Sequence, residues 1–189
     1  MKKVTAILSL FLLMISCSAC KNPEQKSEDI HSEIHTNYYT VGSYTADCAI
    51  TAYTTGGENT YECIVDYNKD DSSYRIFSED MSISLTNDKT VITKGENTIE
   101  SVPSDTDMYI FINTFFESYY ESEDTTVSAG SNADSRLTLL ECSCVRPTEI
   151  ASSMKLWIDN ETVLPVKMQV FNSDSRMTSE IIFRSFKFI

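Results

Sequence analysis

The sequence lacks most of the residues and motifs from which enzymes build a catalytic site. It contains only two histidines, His31 and His35, so the chain from residue 36 onward cannot form a Ser-His or Cys-His nucleophile pair. It also has no G-x-S-x-G turn, no H-E-x-x-H helix and no glycine-rich phosphate loop. Carboxylates such as Glu121, Glu123 and Asp124 are expected on the solvated surface of so acidic a chain. We therefore predict a protein that is not an enzyme and that uses no cofactor or metal.

Positive charge is also scarce. The chain has 15 lysines and arginines against 28 aspartates and glutamates, which gives a net charge of −13 at pH 7. A nucleic-acid-binding protein needs a basic surface for the phosphates, so this composition argues against that function. The same deficit argues against electrostatic binding to anionic lipid. Attachment to a membrane would therefore depend on an acyl chain.

No apolar run is long enough to span a membrane as a helix. The mainly apolar segment Val4–Ile15 has about a dozen residues, whereas a spanning helix needs about 20. It follows Lys2-Lys3 and leads into Ser16-Cys17-Ser18-Ala19-Cys20. A positive start, a short apolar core and a cysteine after a small residue resemble a bacterial lipoprotein signal peptide. This resemblance implies an acylated chain on the extracytoplasmic face of a bacterial membrane.

Either of two cysteines can be the lipidated residue. Cys17 is the predicted one, because the apolar Met14 lies three residues before it and the small Ser16 directly before it. Cys20 follows the small residues Ser18 and Ala19 and is the alternative. An ordinary signal peptide that is cleaved near Ala19, without lipid, also stays open.

The chain divides into three predicted segments: a signal peptide over residues 1–16, a lipidated tether over 17–37 and a β domain over 38–189. Residues 21–32 are polar and charged, which is typical of a tether. The segment Ser27–His35 is expected to form one or two helical turns, since Ile30 and Ile34 are four residues apart. His31 and His35 have a spacing that can hold a metal, but no third ligand is evident, so we expect an exposed helix face.

The four cysteines of the predicted domain do not have the spacing of a zinc site. Cys142 and Cys144 form a C-x-C pair with no histidine near them in sequence. Cys48 and Cys63 fall on the apolar side of two predicted strands. Disulfides are permitted outside the cytoplasm, but small apolar side chains on one strand face pack well. We favour buried thiols over disulfides.

Alternating apolar and polar residues predict an antiparallel meander from Tyr38 onward. The predicted strands are 44–53, 61–67, 74–77, 81–85, 90–93, 98–102, 136–145, 153–159, 163–171 and 177–189. In the last strand the apolar parity changes near Arg184 and Ser185, which predicts a β-bulge. Residues 121–132 are acidic and rich in serine and threonine, and are predicted to form a loop.

One segment has helical periodicity. Ser104–Asp107 offers N-cap residues, and apolar residues then recur every three or four positions, which predicts a helix of about thirteen residues. Its candidate hydrophobic face consists of Met108, Phe111, Ile112, Phe115 and Tyr119. Two roles are open for this face: packing against the sheet as core, or forming a lid over a lipid-sized cavity.

The C-terminal hairpin is the most specific part of the sequence. Leu156–Phe171, with the tight turn Asp159–Thr162 and with Pro165 near a strand start, resembles the strand–turn–strand signature of LolA/LolB-like lipoprotein-handling proteins. Ile182–Phe188 is similar to the last strand of that family. Within the superfamily, the lipoprotein signal and small size most resemble the germination lipoproteins (GerS-like) of spore-forming bacteria. This resemblance implies that the membrane is a forespore or spore membrane.

This resemblance implies a fold and a function. The fold is mainly β: a curved antiparallel sheet, an incomplete β-barrel, with one principal helix packed on its concave face. The function is that of a non-enzymatic lipoprotein that binds and activates a cell-wall muramoyl-L-alanine amidase during spore-cortex modification. The alternatives are a lipid or lipoprotein carrier with a cavity between sheet and helix, and a structural envelope lipoprotein. The edges of an open sheet also predict a strand-exchanged homodimer.

Overall fold

A single antiparallel sheet of eleven strands forms the body of the protein in a computed structural model, which describes residues 23–86, 88–103, 105–129 and 136–189. The strands are β1 (Tyr44–Thr54), β2 (Gly57–Asn68), β3 (Ser73–Phe77), β4 (Met81–Leu85), β5 (Thr90–Lys94), β6 (Asn97–Ser101), β7 (Thr126–Ala129), β8 (Leu137–Ser143), β9 (Ser153–Asp159), β10 (Pro165–Phe171) and β11 (Met177–Phe188). The helices are α1 (Pro23–Tyr38), a 3₁₀ helix (Asp105–Ile110) and α2 (Ile112–Glu121). The predicted signal peptide and both candidate lipidated cysteines lie outside the described residues.

The sheet is two meanders joined along their first and last strands. Its order is β6-β5-β4-β3-β2-β1-β11-β10-β9-β8-β7, so β1 and β11 pair in the middle, and β6 and β7 lie at the two edges. Every pairing is antiparallel. Because β6 and β7 do not pair, the sheet is not closed into a barrel. The predicted mainly-β, incomplete-barrel fold is confirmed.

The predicted β-bulge in the last strand is also confirmed. Asp47 pairs with Ser185 and Cys48 pairs with Phe183, so Arg184 is the extra residue in β11. Its guanidinium contacts the carboxylates of Asp47, at 3.6 Å, and of Glu62. One inserted residue thus restores the apolar parity of the strand on both sides of the bulge.

The helices differ from the prediction in number and extent. Helix α1 has 16 residues instead of one or two turns, because Ile30, Ile34 and Tyr38 are buried in the core and this packing stabilises a weakly amphipathic segment. The division of the chain at residue 38 stays a prediction, although the packed body already includes Ile30. No helix among the described residues is long and apolar enough to cross a membrane.

The helix predicted from residue 108 is interrupted at Phe111. A 3₁₀ helix precedes this residue, and α2 begins only at Ile112, because Phe111 adopts an extended backbone conformation. Its ring stacks on Tyr74 of β3 with 3.9 Å between ring centroids. Tertiary packing therefore overrides the helical periodicity at this position. Strand β7 also lies where a loop was predicted, since its four residues pair with β8.

The core lies between the two α-helices and one face of the sheet. Strand β9 alternates between buried and half-buried residues, as a sheet with one covered face requires. The four described cysteines are free buried thiols, as favoured from the sequence, and the sulfurs of Cys48 and Cys63 are 3.7 Å apart. Tyr38 anchors the end of α1 by donating a hydrogen bond from its hydroxyl to the Val163 carbonyl, at 2.9 Å.

Candidate functional site

The predicted hydrophobic face of the aromatic segment is packed in the core. Phe111, Ile112 and Phe115 are at most 1% exposed, Tyr119 is 7% exposed and Met108 is partly buried. The Cys142 thiol, on β8, lies 3.9 Å from the Phe115 carbonyl, to which it donates. These contacts fit the core-packing role. A ligand-binding role for the five residues stays a prediction.

The two histidines belong to an aromatic seam that joins α1 to α2. His31 Nε2 lies 3.3 Å from the Tyr119 hydroxyl, and the His35 ring makes an edge contact with Tyr120 at 5.4 Å between centroids. One helical turn later, Tyr38 stacks on Phe116 at 4.3 Å. The predicted exposed helix face is confirmed for both histidines, whose side chains remain largely exposed. No group of three or more potential metal ligands occurs in the described ranges.

A row of apolar side chains crosses five strands of the sheet and becomes exposed at its end. Val65, Ile76, Ile83, Ile92 and Ile99 lie directly opposite one another on β2 to β6. Val65 and Ile76 are 6% and 8% exposed, the next two are half-buried, and Ile99 is 64% exposed. We call these five residues the apolar row, and strands β3–β6 the wing. The outer end of the wing, at β6, therefore carries an apolar surface that the rest of the described chain does not cover.

The apolar row ends on an edge strand that is open to solvent. All five residues of β6 are exposed, and no other strand in the described ranges pairs with its free side. Val102, directly after β6, is 83% exposed. An edge strand presents unpaired N–H and C=O groups that can hydrogen-bond an added strand. The wing thus offers backbone groups and apolar side chains at one place.

Charged residues surround this surface without covering it. Lys94 pairs with Asp80 at 2.9 Å, and Lys89 pairs with Glu100 at 3.4 Å; all four side chains are more than half exposed. The contact with Lys94 lowers the pKa of Asp80, and the same contact raises the pKa of Lys94. Exposed pairs of this kind contribute little to stability. Their position favours solubility and leaves Ile99 uncovered.

A polar and aromatic cleft of about 630 Å³ lies elsewhere, between the end of α1, the β2–β3 turn and α2. Its lining includes Tyr39, Asn113, Tyr120 and Lys69. The hydroxyl of Tyr120 is buried, and burial, with the nearby Tyr119, raises its pKa to about 12. Sequence reasoning missed this cleft, because its residues are far apart in the chain and share no periodicity.

The family of the chain follows from its sequence. The model of the YdcC-like sporulation proteins matches residues 1–188. The chain belongs to the YdcC-like sporulation protein family. This agrees with the predicted resemblance to proteins of spore-forming bacteria. No curated protein matches the sequence.

Several solved structures are similar to the chain in fold. A LolA superfamily protein of Nitrosomonas europaea matches with a TM-score of 0.46 at 11% identity, over 86% of this chain and 93% of that one. A lipoprotein-sorting protein domain of Vibrio parahaemolyticus matches with a TM-score of 0.47 at 10% identity, over 88% and 93%. A chain from the complex of the CwlD amidase with the GerS lipoprotein of Clostridioides difficile matches with a TM-score of 0.42 at 17% identity, over 86% and 92%.

Proposed function

We propose that this chain is a non-enzymatic, membrane-anchored sporulation protein that binds and activates a cell-wall muramoyl-L-alanine amidase. Membership of the YdcC-like family supports the role in sporulation. The lipid anchor, at Cys17 or alternatively at Cys20, rests on the signal-like segment at residues 1–20. The choice of an amidase as the partner rests on the resemblance of the chain, in its lipoprotein signal and small size, to germination lipoproteins.

The exposed edge of the wing is the observation that carries this proposal. A partner strand added to β6 gains main-chain hydrogen bonds, and its alternate side chains meet the apolar row. Ile99 contributes apolar surface at the point of contact, since it is 64% exposed in the chain without a partner. The exposed charges that surround the wing supply a polar rim, which is typical of interfaces between separately stable proteins.

Features of the described residues support a non-catalytic role. A catalytic thiol must be ionised and accessible. Burial raises the pKa of Cys144 to about 12, and burial likewise raises the pKa of Cys142. The histidines lie in the seam between α1 and α2, where each contacts a tyrosine of α2. The protein would therefore act through binding rather than through chemistry of its own.

The proposal can be tested by co-purification from the sporulating cells. The tagged full chain is expected to retain a muramoyl-L-alanine amidase, and Ile99→Glu is expected to abolish the retention, because it places a charge in the apolar contact. Val127→Glu is the matched control, since Val127 is 40% exposed on the other edge strand, β7. Retention by the control and loss in Ile99→Glu support the proposal.

Other outcomes contradict it in specific ways. Loss of the amidase only in Val127→Glu moves the interface to β7, and no loss in either variant excludes pairing at the edges. Retention of a second copy of the chain instead of an amidase supports the strand-exchanged homodimer. Retention of lipid or lipoprotein without an amidase supports the carrier alternative.

The anchor needs a separate measurement. Metabolic labelling with an alkyne fatty acid is expected to label the full chain and the Cys20→Ala variant, and to leave Cys17→Ala unlabelled. Labelling that is lost only in Cys20→Ala assigns the anchor to the alternative cysteine. An unlabelled wild-type chain contradicts the lipoprotein part of the proposal.

A further inference from the structure

We propose that the cleft between α1, the β2–β3 turn and α2 binds a neutral saccharide. None of its lining residues belongs to the wing or to β7, so this inference does not depend on the amidase. The cleft has a volume of about 630 Å³, within the range of about 300–1,000 Å³ that is usual for small-molecule sites. Three features of its lining decide which class of ligand fits: an aromatic wall, a set of polar atoms and the balance of charge.

One wall of the cleft is aromatic. The Tyr39 ring is 65% exposed, and it is held in place by stacking on His35, at 4.9 Å between centroids, and by an edge contact with Tyr120 at 5.4 Å. Tyr120 is in turn stacked on Phe116 at 6.0 Å. A rigid, exposed ring offers a flat apolar surface on which a ligand with a flat C–H face can stack.

The wall of the cleft also contains polar atoms. Thr40, Ser72, Asn113 and Tyr120 all line the cleft. Asn113 Oδ1 and the Tyr120 hydroxyl are already closed off from solvent, so the polar atoms open to a ligand are the hydroxyls of the exposed Thr40 and Ser72. Covering these hydroxyls with a purely apolar molecule costs free energy, whereas a ligand with hydroxyl groups can hydrogen-bond to them. A fatty acyl chain is therefore a poor occupant of this cleft.

The charges of the lining balance one another. The charged residues of the lining are Lys69, Glu117 and Glu121. Glu117 is paired with the Arg146 guanidinium at 3.0 Å, so the remaining lysine and glutamate balance each other. A cleft without net charge gives no advantage to a phosphate or to a polycation. A neutral molecule with hydroxyl groups and an apolar face fits all three observations, and a saccharide is such a molecule.

The test is ligand-observed saturation-transfer NMR on the full chain. The probe is chitotetraose, a neutral tetramer of N-acetylglucosamine, and the protein is kept in a zwitterionic detergent that carries no sugar group. We expect saturation transfer to the sugar-ring protons and a dissociation constant of about 1 mM or lower, which corresponds to about −4.1 kcal/mol or tighter.

Three variants locate the binding. Tyr39→Ala is expected to weaken binding by about tenfold or more, which corresponds to about 1.4 kcal/mol. Tyr39→Phe retains the ring and is expected to bind within about twofold of the wild type. Tyr61→Ala removes an exposed tyrosine on β2, outside the cleft, and should bind like the wild type. Both positions are exposed, so folding is expected to be preserved in all three variants, and circular dichroism checks this.

Two results overturn the inference. The first is an absence of saturation transfer from the wild-type chain, and the second is undiminished binding by folded Tyr39→Ala. Neither result bears on the amidase proposal, because the amidase is absent from the experiment. Conversely, a failure to co-purify an amidase would not change the saccharide binding expected in the NMR experiment.

Discussion

Two parts of one sheet follow the same alternating sequence pattern but are covered to different extents. In β9 the inward residues Met154, Leu156 and Ile158 are all 0% exposed, whereas Ile99 in β6 is 64% exposed. The difference lies in the covering layer, since α1 and α2 pack over one part and leave the outer wing open. Alternation therefore predicts the face on which a side chain lies, and it does not predict whether another element covers that face.

The largest expected effect tests the covered part. Phe115→Ala should lower the free energy of unfolding by about 3–5 kcal/mol, because the ring is fully buried and its removal leaves a cavity. The contrasting variant is Phe77→Ala in β3, on the opposite face of the sheet from the apolar row, where the ring is 40% exposed, and its cost should be less than half as large. Urea unfolding measures both values. Equal losses in the two variants would show that the outer face at Phe77 is covered as fully as the core at Phe115.

The next prediction concerns the turn that joins β9 to β10. Asp159 Oδ1 accepts hydrogen bonds from the backbone N–H groups of Thr162 and Glu161, at 2.8 and 3.0 Å, and from the Thr162 hydroxyl. Asp159→Ala should therefore cost about 1–2 kcal/mol at neutral pH. These hydrogen bonds fix the hairpin whose inward residues belong to the core.

This effect should depend on pH. The hydrogen bonds from Thr162 and Glu161 lower the pKa of Asp159 below its ordinary value of 3.8. Because the folded-state pKa is the lower one, the stabilisation is present above about pH 4 and is lost as the pH falls through the folded-state value. The difference in unfolding free energy between wild type and Asp159→Ala should accordingly shrink between pH 5 and about pH 2. An unchanged difference over this range would show that the ionised carboxylate is not responsible.

The same hairpin shows how far sequence reasoning reaches. The Asp159–Thr162 turn was predicted, because aspartate and threonine there bond readily to nearby backbone. The predicted start of the next strand at Val163 was wrong by two residues. Val163 adopts a left-handed conformation with φ of 56°, and its carbonyl accepts the Tyr38 hydroxyl from α1. That contact joins residues far apart in sequence, so no local sequence pattern predicts it.

For the candidate sites as well, local features could be predicted from the sequence and long-range contacts could not. The alternating pattern placed the residues of the apolar row on strands, and residue parity alone predicted the bulge at Arg184. The exposure of Ile99 depends on which strands the helices cover, and the helices pack on one another through contacts between residues far apart in sequence, such as Tyr38 and Phe116. The length of α1 was itself underestimated, because most of its stability comes from buried Ile34 and Tyr38 rather than from local propensity.

The smallest expected effect sharpens the comparison within the wing itself. Ile99→Ala should change the free energy of unfolding by less than about 0.5 kcal/mol, since the side chain is largely solvated in the folded protein. Ile76→Ala, in the same apolar row but 8% exposed, should cost about 2–5 kcal/mol. Thermal or urea unfolding of the two variants measures this gradient. If Ile99→Ala instead destabilises the isolated chain as strongly as Ile76→Ala, Ile99 must already be buried by another part of the chain or by a second copy. In that case the edge of the wing is not free to accept a partner strand.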